Sequence, residues 1–382
     1  MEGALKLGPN KVWLDFAERY GNDICQKKIM ELERYYQDHR EDCVSDFRES
    51  FRQICLKIKA MQLSNEKDKI GYLTYSMLRT AILRKKPIYL IEATNKEHFF
   101  DREECWGEYD PGWAFRFLDE LEIELEEKRK LYLGQIAKPN IEQLKLQETP
   151  KYHRYVICFL RYVMPQAVLL PEFQEIDKEE KLEVRAGEYL DSSEVVGKVN
   201  RQTKEPGSIK SLLEDGNGTV YECETFTALN LAQGNYWGIN LCYCDLRGSD
   251  LSNSQMQYSV LTGTKLNRAM LQGTNLSESL IYEADFGESI LKGANFYRAQ
   301  GPSGVNAAEN WKAPGYFGVS FQKANLEGVN FKDANLKGAN FTGANLKDVN
   351  FEGANLEKAV FLKETADSLD LDETQKNSIV WE

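Results

Sequence analysis

The chain of 382 residues has 48 lysine and arginine residues against 60 aspartate and glutamate residues, a formal net charge of −12. This length exceeds one ordinary hydrophobic core and predicts at least two domains. The acidic balance excludes direct nucleic-acid binding, because such affinity rests on neutralising phosphates with lysine and arginine. Residues 1–10 lack a secretory pattern, and no run approaches the roughly 18 apolar residues of a membrane span, so a cytoplasmic protein without membrane contact is expected.

Residues 1–180 are predicted to form a mostly helical N-terminal domain. Apolar residues recur at helical spacing from Val12 to Tyr20 and from Val44 to Met61. Asn65 is interpreted as the N-cap of a further helix over Ile70–Leu78, so a helical bundle is expected.

The second half of this domain mixes helical and β-like patterns. Residues 88–93 are β-like, Pro111 begins a long helix, and another helix is expected over 154–163. Residues 181–224 are β-like up to Val199 and then rich in turn residues. They are interpreted as a connecting segment that also caps the following domain.

Chemistry-bearing residues are scattered along the chain. The eight cysteines lack the spacing of a disulfide framework or zinc site, and His39, His98 and His153 lie far apart. The phosphate-binding patterns GxGxxG and GxxxxGK[ST] and the nucleophile pattern GxSxG are absent from the sequence. No catalytic, metal-binding or cofactor-binding residue is therefore predicted, and the chain is interpreted as non-enzymatic.

A large apolar residue recurs at every fifth position between residues 225 and 362. Near the end of the chain these residues are Phe321, Leu326, Phe331, Leu336, Phe341, Leu346, Phe351, Leu356 and Phe361. A small apolar residue lies two positions before almost every one of them, and the same phase runs upstream from Phe296 to Phe226. Neither the helical period of 3.6 nor the strand period of 2 explains this spacing. It predicts a square coil in which each pentad forms one side.

Four sides close one turn, so residues twenty positions apart should stack. This spacing places Phe321, Phe341 and Phe361 in one stack and Phe331 and Phe351 in the opposite one, with leucine on the other two sides. Asparagine repeatedly precedes the large residue, and stacked amides are expected to satisfy one another and the turns between sides.

The repeat closely resembles the pentapeptide-repeat family, whose consensus is Ala-(Asp/Asn)-Leu-X-X. The resemblance implies a right-handed quadrilateral β-helix, a form of β-solenoid, with about six coils over 225–362. Together with the helical domain, it predicts a multidomain α + β protein.

Two segments depart from the repeat. Residues 301–318 are rich in glycine and proline and are predicted to form a loop that projects from the coil, with Trp311, Tyr316 and Phe317 as a partner-binding tip. The alternative is that these aromatic residues fold back over an irregular coil. Residues 363–382 are interpreted as a cap or as a dimerisation tail, since members of the resembled family often dimerise through this end.

Two functions remain from these patterns. The first is a scaffold or chaperone that binds a protein or peptide and assists its modification by separate enzymes. The resemblance implies the second, a protein that binds DNA gyrase or topoisomerase, confers inhibitor resistance and mimics DNA. Between Phe226 and Phe361 there are 11 basic and 12 acidic residues, so this region lacks the uncompensated charge of a duplex.

Overall fold

The computed structural model describes residues 9–201, 206–215, 221–305 and 314–382. One compact unit contains the residues up to Val199, and a second contains Asn200–Asn306 and Gly315–Glu382. Within the described ranges, no helix has the length and apolar character needed to cross a membrane.

The first unit combines helices with one sheet. Its helices are α1 (Pro9–Phe16), α2 (Asn22–His39), α3 (Val44–Leu63), α4 (Arg79–Leu83), α5 (Gly112–Arg129), α6 (Lys138–Ala167) and α7 (Pro171–Glu175), with a π-helical turn at Ala17–Gly21 between α1 and α2. Its strands are β1 (Ile70–Met77), β2 (Tyr89–Thr94), β3 (Trp106–Tyr109), β4 (Lys178–Glu188) and β5 (Ser193–Asn200).

The strands form a mixed sheet in the order β3-β2-β1-β4-β5. The central strand β1 is antiparallel to β2 and parallel to β4. Alternate side chains of β1, such as Tyr75 and Met77, are buried against the helices. Phe47 of α3 contacts both Tyr75 and Phe159 of α6, with ring centroids 6.0 and 5.9 Å apart. One face of the sheet therefore forms the core together with α3 and α6.

The helix expected over Ile70–Leu78 is wrong, because these residues form β1 and the turn before α4. Asn65 has a φ of 59° and ends α3 instead of beginning a helix, since its amide donates to the Gln62 carbonyl at 3.2 Å. The apolar spacing fits both periods, and the sheet partners decide between them. The expected helical bundle is accordingly a helical layer on a mixed sheet.

The other predicted elements of this unit are present. The strand at 88–93 is β2, the helix after Pro111 is α5, and the helix over 154–163 belongs to α6. Residues 181–200, expected within a connecting segment, instead complete β4 and form β5 of the sheet. Hydrogen bonding to β1 draws β4 into the first unit.

The second unit is a coil held by parallel bridges between residues twenty positions apart. Each bridge position immediately precedes a large inward residue, and its own side chain faces outward. Sides 1 to 4 begin at the bridge positions Thr225, Asn230, Asn235 and Asn240. Asp285 pairs with Ser320 rather than with a residue twenty positions on, so fifteen extra residues enter without changing the phase.

Rings stack inside the coil as the repeat predicts. Phe321, Phe341 and Phe361 follow one another with centroids 5.2 and 4.6 Å apart, and Phe331 stacks on Phe351 at 5.4 Å. All five side chains are at most 1% exposed. The predicted stacks are confirmed.

The predicted amide ladder is also present. On side 3, Asn330 donates to Asn295 at 3.0 Å, and Asn350 donates to Asn330 at 3.3 Å. The Asn330 Oδ1 also accepts the backbone N–H of Lys332 at 3.1 Å, which closes the adjoining turn. Asn330 therefore serves its own turn and the neighbouring coils.

Both ends of the described coil are covered by short segments. Helix α8 (Pro206–Glu214) buries Ile209 and Leu213 in the cluster that contains the first inward residues of the coil. At the other end, α9 (Glu373–Ser378) leads to β7 (Val380–Trp381), which pairs in parallel with β6 (Val360–Phe361). The tail therefore lies on the last coil of its own chain.

Candidate functional site

The amide ladder is interrupted on side 4 of the coil. Its bridge positions are Asn240, Val260, Leu280, Gln300, Asn335 and Asn355. In the last coils of the chain, Asn355 donates to Asn335 at 3.1 Å, as elsewhere in the coil. Val260 and Leu280 can make neither the ladder bond nor the turn bond, and Leu280 is 37% exposed. Two adjacent coils thus carry aliphatic side chains, Val260 half-buried and Leu280 exposed, where an amide would stabilise the fold.

Aromatic side chains flank this aliphatic pair. Trp237 and Tyr258 lie at the corner between sides 3 and 4, are 63% and 49% exposed, and have centroids 5.6 Å apart. At the opposite corner Tyr282 packs against Tyr316 of the interruption at 4.8 Å. We call the surface formed by Trp237, Tyr258, Val260, Leu280, Tyr282 and Tyr316 the aromatic face.

The aromatic face differs in charge from the rest of the coil. The three stretches that form its coil part, 236–243, 256–263 and 276–283, contain no lysine or arginine and two glutamates, Glu278 and Glu283. Glu278 accepts the Tyr258 hydroxyl proton at 3.0 Å, and Glu283 accepts the backbone N–H of Phe317 at 3.0 Å. Both carboxylates are therefore held beside the aromatic rings.

Several charges elsewhere on the coil exterior are paired between neighbouring turns. Lys332 contacts Glu352 at 2.8 Å, and Lys337 contacts Glu357 at 2.9 Å. Arg268 contacts Glu288 at 2.9 Å in the same manner. At these positions outside the aromatic face the exterior is therefore neutral over short distances.

A second aliphatic pair interrupts the ladder on side 2. Met270 and Ile290 occupy successive bridge positions and are 37% and 40% exposed. Their neighbours in the corresponding turns are Gln272 and Lys292 rather than aromatic residues. This pair provides a matched aliphatic control for the aromatic face.

The three aromatic residues predicted as a loop tip have different positions. Tyr316 belongs to the aromatic face, and the backbone of Phe317 is bonded to Glu283. This part of the interruption lies along the coil rather than projecting from it, because Tyr316 packs against Tyr282 and Phe317 is bonded to Glu283. Trp311 lies outside the described residues, and the role of the three residues in binding a partner stays a prediction.

Sequence reasoning missed Trp237, Tyr258, Val260 and Leu280. A usable signal was available, because counting bridge positions in steps of twenty isolates Val260 and Leu280 among asparagine and glutamine. The exposed aromatic pair follows from the same count, since both residues fall at outward positions.

Several of the buried polar groups in the first unit have structural partners. Asp101 bonds Lys67 at 2.6 Å and the backbone amides of Asn95 and Glu103 at 2.7 and 3.0 Å. A 2.5 Å hydrogen bond joins the Tyr89 hydroxyl to Nδ1 of His153, and burial lowers the pKa of His153 to about 4. Among the described residues, no group of histidine, cysteine and acidic side chains could hold a metal ion.

The Asp101 network fixes the loop between β2 and β3, which carries an exposed aromatic pair. Phe99 and Phe100 are 80% and 82% exposed. His98, with a φ of 53°, packs on Tyr72 with centroids 4.3 Å apart. The first unit therefore presents two phenylalanines from a loop with buried ionic support.

The twenty-residue ladder, the inward stacks and the outward amides define the second unit as a solenoid protein built from one short repeat. The family profile described as pentapeptide repeats matches it in eight copies, at residues 244–281, 269–300 and 318–361. The C-terminal region of this chain therefore consists of pentapeptide repeats, which imply a quadrilateral β-helix. No curated protein sequence matches the chain significantly.

Solved structures of pentapeptide-repeat proteins align with this chain. A protein from the Arabidopsis thaliana thylakoid lumen is 16% identical, covering 35% of this chain and 74% of its own, with a TM-score of 0.21. HetL from Nostoc sp. strain PCC 7120, described as involved in heterocyst differentiation regulation, is 18% identical over 42% of this chain and 98% of its own, with a TM-score of 0.19. QnrB1, described as a plasmid-mediated fluoroquinolone resistance protein, is 13% identical over 42% and 81%, with a TM-score of 0.24. Sequence identities and TM-scores this low say nothing about a partner or an activity of this chain.

Proposed function

We propose that this chain is a non-enzymatic scaffold or chaperone that binds a protein or peptide on the aromatic face. The carrying observation is the replacement of the amide ladder by Val260 and Leu280 beside the exposed pair Trp237 and Tyr258. Departures from a stabilising rule are expected at functional positions, and the aromatic neighbours distinguish this pair from Met270 and Ile290. Exposed tryptophan and tyrosine are the side chains that most often anchor interfaces.

The first unit supports a second contact in the same scaffold. Its Phe99 and Phe100 are held outward by a loop whose ion pair is buried, so little ordering entropy remains to be lost on binding. Two rigid units with separate apolar surfaces suit a protein that holds a client for separate modifying enzymes. Association of two chains through their C-terminal ends belongs to this proposal and is testable by light scattering.

The alternative hypothesis, that the chain binds gyrase or topoisomerase as a DNA mimic, has less support from the coil. A mimic of duplex DNA needs uncompensated acids along its length. Here Glu352, Glu357 and Glu288 each contact a basic residue of a neighbouring coil. Binding of such an enzyme through apolar contacts is a separate possibility that the experiment below distinguishes.

Position-specific photocrosslinking in the full chain tests the proposal. A photoreactive amino acid replaces Leu280 on the aromatic face or, as a matched control, Asn345 at an exposed bridge position of side 2. Cross-linked products from an extract of the source organism are then identified by mass spectrometry. We expect a protein or peptide product from position 280 that is absent from position 345.

The double variant Trp237→Ala, Tyr258→Ala should abolish that product when combined with the crosslinker at position 280. The absence of any product specific to position 280 would contradict the proposal. Products consisting of gyrase or topoisomerase IV subunits would establish the alternative function instead.

A further inference from the structure

We infer that the aromatic face takes an extended peptide segment carrying lysine or arginine together with apolar side chains. This inference rests on the proposed function and names its class of ligand. It follows from three properties of the face, namely its charge, its aromatic rings and its dimensions.

The charge of the face favours a cationic segment. Its three coil stretches contain Glu278 and Glu283 and no basic residue. Arg298, on the next coil, approaches Asp333 at 4.0 Å. An incoming lysine or arginine therefore meets carboxylates and no cation within these stretches, whereas an acidic segment meets like charge.

The rings favour the same segment. Trp237 and Tyr258 form an exposed edge-to-face pair, and the tilted rings of Tyr282 and Tyr316 lie on the other side of the aliphatic strip. A lysine ammonium or arginine guanidinium is attracted to the faces of such rings, most strongly to tryptophan. The carboxylate of Glu278, bonded to Tyr258, lies where it adds to that attraction.

The dimensions limit how much of the segment is recognised. The aliphatic strip between the aromatic corners consists of Val260 and Leu280, which bridge each other on adjacent coils. Three coils spaced by about 4.8 Å span about 10 Å, which is roughly the length of three extended residues. Side chains two positions apart point to the same side of an extended segment. One basic and one apolar side chain in that register would contact the rings and the strip together.

Other ligands with large surfaces fit the face less well. Nucleic acid and anionic lipid surfaces both need basic residues on the protein, and these three stretches contain none. The inference therefore commits to a peptide.

Fluorescence anisotropy with the full chain tests this ligand class. The probes are labelled peptides of alternating lysine and valine, of glutamine and valine, and of glutamate and valine, measured at low and high salt. We expect the lysine peptide to bind at least about tenfold more tightly than the glutamine peptide. Its affinity should fall as salt rises, and the glutamate peptide should bind most weakly.

Variants of the full chain locate the binding. Trp237→Ala with Tyr258→Ala should weaken the lysine peptide about tenfold. Glu278→Gln with Glu283→Gln keeps both hydrogen-bond acceptors and should weaken only the lysine peptide, by about threefold. The matched pair Met270→Ala with Ile290→Ala on side 2 should leave its affinity unchanged. Thermal unfolding of each variant verifies that the coil is intact.

Equal affinity for the lysine and glutamine peptides would overturn the ligand class while leaving the proposed function intact, because the crosslinking result is independent of it. Equal loss of lysine-peptide binding in the side 2 pair and in the aromatic variants would show that the peptide binds elsewhere. Failure of both the crosslinking and the peptide experiments would remove both proposals.

Discussion

The coil and the sheet domain are stabilised by opposite strategies. In the coil, Phe321, Phe341 and Phe361 make the same contact in each turn, and one side-chain amide serves the next. In the sheet domain, the buried polar groups that are paired have individual partners, such as Lys67 with Asp101 and Tyr89 with His153. A departure from the regular pattern can therefore be recognised in the coil, where the contacts repeat. It cannot be recognised in the sheet domain, where each contact is different.

The largest effect is expected from a charge on the coil axis. Phe341 lies between two stacked rings and is 1% exposed. Phe341→Asp removes that packing and buries a carboxyl group, which should cost more than about 5 kcal/mol of unfolding free energy. Urea unfolding followed by circular dichroism measures it, with the exposed neighbour Gln322→Asp as the control. An unchanged midpoint for Phe341→Asp would show that the ring does not face the axis.

The sheet domain should respond almost as strongly to one lost partner. Burial alone would raise the pKa of Asp101, but hydrogen bonds from Lys67 and from the amides of Glu103 and Asn95 outweigh burial and leave that pKa below its usual range. Asp101→Asn strands the Lys67 charge and should cost about 3 to 5 kcal/mol. Chemical denaturation measures this loss, and Glu103→Gln serves as the exposed control. A loss of unfolding free energy smaller than that of Glu103→Gln would show that water replaces the ion pair between Lys67 and Asp101.

A third effect depends on pH. Because burial lowers the pKa of His153 from 6.5 to about 4, this residue takes up a proton at a higher pH in the unfolded chain than in the folded chain. Stability from this group is complete above pH 6.5 and declines as the pH falls towards 4, by about 3 kcal/mol in all. The difference in unfolding free energy between pH 7 and pH 4.5 should therefore be smaller in His153→Gln than in the parent chain. An identical pH dependence in both proteins would exclude His153 as the cause.

A smaller effect is expected within the amide ladder. Asn330→Ala removes two ladder bonds and one turn bond on side 3 and should cost about 1 to 2 kcal/mol. Asn235→Ala, at the first bridge position of the same side, should cost less than about 0.5 kcal/mol. Thermal unfolding of the two variants compares them, and equal losses would mean that the ladder and turn bonds of Asn330 add no stability.

The smallest effect on folding should accompany a clear effect on binding. Val260→Asn restores an amide next to Asn240, so stability should change by no more than about 0.5 kcal/mol. Capture of the partner at position 280 should nevertheless decrease, because the aliphatic strip is interrupted. A marked loss of stability would instead assign Val260 a packing role.

The coil could be predicted from the sequence because its contacts recur at a fixed interval. Counting by twenty is enough to predict that Phe331 meets Phe351 and that Asn350 meets Asn330. The strand Ile70–Met77 was not accessible in this way, because its spacing fits a helix until Val184 of β4 and Ala93 of β2 are known as neighbours. Long-range pairing, which local periodicity does not contain, decided that element.

The candidate site was only partly accessible for a related reason. Tyr316 was singled out as an aromatic residue in an irregular segment, but its partner Tyr282 lies 34 positions earlier. The exposure of Trp237 and Tyr258 depends on which corner of the coil they occupy. That corner is fixed by the phase of the repeat, so the information was present but required the full count.

The fifteen residues that enter between Asp285 and Ser320 equal three pentads in length, yet they add no side to the coil. Had they been wound in, every later residue would occupy a different side, and Phe321 would no longer follow Phe286. A side chain's direction in this unit is therefore given by a count in steps of twenty that leaves these fifteen residues out. Deleting a single pentad below the insertion should rotate all later faces by a quarter turn while leaving the aromatic face where it is.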